Sequence, residues 1–111
     1  MLLGLATEPG AAAPPPRLTA WQEIVALSVI KLRHAASPCG FQVDAGQVQA
    51  LMGSADIDEA ALAPSGLSPA LRHQADADQD DYVGDRDAAC LQAWERFGAD
   101  GAPGLRNLLR R

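Results

Sequence analysis

Apolar residues crowd one stretch of the chain more than any other. Between Thr19 and Ala36 the sequence reads TAWQEIVALSVIKLRHAA. Trp21, Ile24, Val25, Ser28 and Leu32 recur at steps of three and four, and Leu27, Val29 and Ile30 widen that stripe until the middle turns are apolar over most of their girth. Thr19 and Gln22 have the spacing of a capping box, in which each side chain satisfies a backbone N–H that the first helical turn leaves unpaired. A helix of this kind needs neighbours on several sides. Lys31 and Arg33 arrive too soon for a bilayer span, so the pattern predicts the core helix of a domain, over 19–36.

The weaker patterns downstream predict short helices that pack against it. Ser37 and Pro38 break the first helix, and Cys39 and Gly40 form the turn. Asp44 with Gln47 starts a second helix with Val48, Leu51 and Met52 on its apolar face, and Gly53 is placed to end it in a left-handed conformation. A short third helix is expected from Asp56 to Ala63, stopped by Pro64. Ser68 followed by Pro69 is an N-cap with proline at the first helical position, and it opens a fourth helix, LRHQADA, with so little apolar content that a surface position is expected. After an acidic stretch, a fifth helix runs from about Asp87 to Phe97 with Cys90, Ala93, Trp94 and Phe97 on one face. Leu105, Leu108 and Leu109 suggest a last helical turn or two. Trp21 and Trp94 are expected among the large core residues.

Composition agrees with an all-α fold, a compact array of five or six short helices around the core helix. Hydrophobic residues make up 48% of the chain but aromatics only 5%, the gap being filled mainly by alanine, and runs of β-branched residues in two-residue alternation are absent. At 111 residues the chain bounds one domain, assigned to residues 18–111. Residues 1–17, MLLGLATEPGAAAPPPR, are too rich in Gly, Ala and Pro for a packed element. Their LLGLA run followed by AAA reads either as the remnant of a secretory signal or as a disordered arm. The net charge of −5, with dispersed basic residues, points away from nucleic acid and towards a basic or neutral partner. Heavy use of Ala, Gly, Pro and Arg suggests a GC-rich bacterial genome.

Two constellations carry candidate chemistry. Cys39 and Cys90 are the chain's two cysteines, both placed where burial is expected. A bridge between them would close a loop of about fifty residues and stabilise the fold by about 4 kcal/mol in the chain-entropy picture. With the signal-like start, it favours a periplasmic or secreted location. No CxxC and no histidine at ligand spacing accompanies either cysteine, which disfavours a redox or metal role.

The second constellation is Asp76 to Asp87. Asp76, Asp78 and Asp80 fall at positions one, three and five of a twelve-residue calcium loop, Tyr82 offers a carbonyl at seven and Asp87 ends it. Over about a tenth of the chain this resembles an EF-hand. It departs from one at Asp81, where glycine makes the sharp turn, and at Asp87, shorter than the bidentate glutamate.

His34 and His73 have no partner identifiable from sequence and read as surface residues. No phosphate loop, dinucleotide fingerprint or nucleophile elbow occurs. The expectation is therefore a non-enzymatic protein without a cofactor, which acts by contact with another protein as an accessory subunit, an inhibitor or immunity protein, or a chaperone. Candidate contact residues are Leu2, Leu3 and Leu5 on the arm and Phe41 and Tyr82 in loops. The alternatives are a calcium-responsive module using the acidic loop and, third, an enzyme whose site sequence does not reveal.

Overall fold

The structure, a computed structural model, describes residues 18–111. The expected arm, with Leu2, Leu3 and Leu5, lies outside them. Five α-helices and one small antiparallel ladder make up the described chain: α1 Ala20–Cys39, β1 Gln42–Val43, α2 Ala45–Ser54, α3 Glu59–Leu62, a 3-10 turn Pro64–Gly66, α4 Pro69–Gly84, α5 Arg86–Phe97 and β2 Leu109–Arg110. The all-α expectation holds, with one disulfide.

Helix α1 is the centre. Its capping box forms as the sequence predicts, with Gln22 N–H donating to Thr19 Oγ1 at 3.2 Å and Thr19 N–H to Gln22 Oε1 at 2.9 Å. Pro38 does not break it. The proline is the next-to-last residue of α1, so its missing N–H and the clash of its ring with the carbonyl four residues back act only on the final turn. The stop comes at Gly40, left-handed at φ 71°, with Phe41 N–H donating to Ala36 O and Gly40 N–H to Ser37 O. These are the two bonds of a Schellman motif, and glycine adopts that conformation without steric cost.

The main apolar cluster is built by Val25, Val29, Leu32 and Ala35 of α1, Val48, Leu51 and Met52 of α2, Ala93 and Phe97 of α5, and Leu108 and Leu109 of the C-terminal segment. That segment is not the expected helical turn. Gly98 O and Phe97 O accept from Asn107 N–H and Leu108 N–H at 3.0 Å, and Asn107 turns left-handed at φ 64°. Leu109 then pairs with Val43, and Arg110 with Gln42. Leu108 and Leu109 are each 2% exposed or less, and the bonds to Phe97, Gly98 and β1 hold them in an extended rather than a coiled backbone.

Two further boundaries move. Asp56, expected to cap α3, is itself left-handed at φ 55°, and Asp58 caps instead, accepting from Ala60 N–H and Ala61 N–H. Gly53 stays within α2. Trp21, expected in the core, is 47% exposed, because it occupies the first turn of α1 beyond the reach of the main cluster.

Candidate interaction groove

The largest departure from the sequence reading creates the most suggestive surface. Residues Asp76 to Gly84 are the last turns of α4, and Asp85 alone separates α4 from α5, capping the latter by accepting from Ala88 N–H at 3.2 Å. The two helices therefore fold back on each other as a tight hairpin and leave a groove between them. Leu71 and Ala75 are the residues of α4 that are buried outright, and Tyr82 is half-buried against the core. With Asp78, which reaches His34 on α1, they follow a helical spacing of three and four. That spacing was the available signal for a long α4, obscured by the number of aspartates.

The groove has a volume of about 290 Å³, with Ala89, Ala93, Phe97 and Tyr82 along it and charges of both signs at its edges. An adjoining depression of about 390 Å³ continues it towards the hinge, past Asp80, Asp81 and Asp85. The cations are Lys31 and Arg96. The disulfide Cys39–Cys90, with Cα atoms 5.6 Å apart, ties the C-terminal end of α1 beside the first turns of α5. Lys31 and Arg96 are eight and six residues from those cysteines, so at 1.5 Å per residue both stand roughly 9–12 Å along their helices from the disulfide, on the side away from the hinge. The ion pairs among the described residues are Arg33–Glu59, His34–Asp78 and Arg110–Asp44. Lys31, Arg96, Asp80, Asp81 and Asp85 take part in none of these.

Inside the groove, burial first, and then the charges of Asp78 and Asp81, push the Tyr82 hydroxyl up to about 12. At neutral pH it remains a protonated donor. Asp78, which also lines the groove, has its Oδ2 3.1 Å from His34 Nδ1, both side chains mostly covered, and His34 in turn borders a second depression of about 270 Å³ with Ile30, Leu62, Leu67, Arg72 and Asp76. His34 is thus a bridging residue between α1 and α4 and not the free surface histidine expected. His73 is exposed, as expected.

No protein family, curated protein or solved structure matches the chain. The geometry of the described residues therefore carries the functional reading.

That geometry corrects the calcium loop. Asp76, Asp78 and Asp80 stand on a helix that turns about 100° per residue, so Asp78 projects about 200° away from Asp76 and cannot share an ion with it. Tyr82 is in the last turn of α4 and not in a loop, and Asp87 belongs to the first turn of α5. Among the described residues no group of three or more His, Cys, Asp or Glu is placed to hold a metal.

Of the expected contact residues, Phe41 is in a loop as expected and Tyr82 is in α4. Phe41 packs on Trp94, ring centroids 5.5 Å apart, while the Arg111 guanidinium covers the Trp94 ring at 4.3 Å. Phe41 is thereby part of the fold's closure. Tyr82 is half-buried and not a free loop aromatic, although it does border the groove. Sequence reasoning missed Lys31 and Arg96, since nothing in their spacing shows that two helices bring them to one groove. No described helix is long and apolar enough to cross a membrane.

Proposed function

We propose that this chain is a binding protein of an oxidising compartment, periplasmic or secreted, that acts through contact of its α4–α5 face with another protein. One observation carries the reading. The groove presents Lys31 and Arg96 near one end and Asp80, Asp81 and Asp85 near the other, unpaired with one another, over small and aromatic side chains. Charges that make no ion pair within the chain are groups whose satisfaction a partner can supply, and they set specificity and association rate more than bulk affinity. The disulfide supports the compartment, since such bridges persist where thiols are not kept reduced.

The test is site-specific photocrosslinking in the cell that makes the protein, with the photoreactive residue at Gln92 in the groove and, as control, at Gln49, exposed on α2. The expected result is one discrete cross-linked protein from Gln92, absent from Gln49, which captures this chain in return. Recovery of the chain uncross-linked and monomeric from both positions would overturn the reading.

A further inference from the structure

From the same groove we infer the chemistry of the partner's contact: a short extended segment with a carboxylate at one end and a lysine or arginine at the other. The inference rests on the contact reading above and specifies what that contact recognises.

A uniformly acidic surface on a chain of net charge −5 would select any polycation. This groove is not uniform. Arg96 and Lys31 interrupt the acidic field, and along α5 the distance from Asp85 to Arg96 is eleven residues of helix, about 16 Å. An extended peptide covers that distance in about five residues at roughly 3.3 Å each. An extended strand with side chains alternating into the two depressions suits their volumes of about 290 and 390 Å³. Gly84, Ala88 and Ala77 at the rims hold no bulk in the way of a backbone lying along the groove. Tyr82, which keeps its proton, adds a donor in the floor.

The experiment uses the full oxidised chain and labelled synthetic peptides read by fluorescence anisotropy: one bipolar, with glutamate and arginine five residues apart, and uniformly acidic, uniformly basic and uncharged peptides of equal length. The bipolar peptide is expected to bind most tightly. Arg96→Glu leaves Lys31 as the groove's one cation beside an added carboxylate, and should weaken the bipolar peptide by about tenfold while raising the uniformly basic one. Asp81→Lys should shift preference towards the acidic peptide. Both positions are exposed, and Arg96→Gln, which removes charge without reversing it, serves if a reversal disturbs folding.

Equal binding of basic and bipolar peptides by the unaltered protein would overturn the inference in favour of bulk attraction. So would an Arg96→Glu variant with unchanged preferences, the absence of any peptide binding, or displacement of the bipolar peptide by free zwitterionic amino acids, which would mark a small-molecule site. A Gln92 cross-link that survives Arg96→Glu would leave protein contact standing and remove only the bipolar recognition. Loss of the cross-link in the unaltered protein would remove both.

Discussion

Helices α5 and α4 lie on the same central helix and are held there by different means. Helix α5 is fastened to α1 by the disulfide, places Ala93 and Phe97 in the main apolar cluster, and is closed over by Leu108, Leu109 and the stack of Phe41, Trp94 and Arg111. Helix α4 contributes no buried residue to that cluster. It rests on Leu71 and Ala75, a half-buried tyrosine and the His34–Asp78 pair. Burial of a large side chain stabilises by about 1.5–3 kcal/mol, and α4 has one such residue where the α5 side has several. The groove thus has one wall anchored in the main apolar cluster and by the disulfide, and one wall outside that cluster.

The largest effect that sharpens this contrast is loss of the staple. Reduction, or Cys90→Ala, opens a loop with a sequence separation of 51 and should cost about 4 kcal/mol, lowering the melting temperature by more than about 10 °C. Thermal melts with and without reductant, beside thiol counts under denaturing conditions, measure it.

Core truncations come next. Leu32→Ala, in the main cluster at 0% exposure, should cost about 3 kcal/mol and Leu71→Ala, on α4 at 7%, about 2 kcal/mol, both by denaturant titration. A larger loss at Leu71 would break the comparison.

Alkaline pH reports on the groove itself. Tyr82 is the chain's one tyrosine, so the rise in the tyrosinate band on alkaline titration, over the unchanging absorbance of Trp21 and Trp94, follows it alone. Its folded value, about 12, lies above the ordinary 10, so the folded state holds the proton more tightly than the unfolded state does. That contribution is complete below pH 10 and disappears as pH rises towards 12. Melts across this interval should fall faster for the native chain than for Tyr82→Phe.

The smallest effect is at the exposed Arg33–Glu59 pair, which joins α1 to α3 through two bonds of 2.7 and 2.8 Å. The hydrogen bond from Arg33 holds the Glu59 carboxyl below its ordinary 4.5, so its contribution is present above that pH and is lost on acidification through the lower folded value. Both side chains are well exposed, and solvent screening limits Glu59→Gln to about 0.5 kcal/mol at neutral pH. The variant and the native chain should converge in acid.

What sequence made legible follows the same division. The capping box at Thr19, the Ser68–Pro69 start, the apolar face of α2 and the Cys39–Cys90 bridge are signals that act locally or have few alternatives, and each appears as expected. Residues 76–87 failed because alternate aspartates fit a calcium loop and a solvated helix face equally well, and only the packing of Leu71, Ala75 and Tyr82 on α1 decides for the helix. Trp21 failed because an apolar stripe does not state where its neighbours end. Leu105–Leu109 failed because the ladder partner is more than sixty residues away, where no local pattern reaches. The groove was illegible for that reason too, being assembled from Lys31 on one helix and Arg96 on another.

Native-state hydrogen exchange on the oxidised protein tests the contrast between the two walls most directly, because it reads the opening free energy of each helix separately. Amides of α1 from Val25 to Ala35 and of α5 from Ala89 to Phe97 should exchange only on global unfolding, and those of α4 from Leu71 to Tyr82 should open at a free energy lower by about 2 kcal/mol. Equal protection of α4 and α5, or earlier opening of α5 with the disulfide intact, would contradict the account.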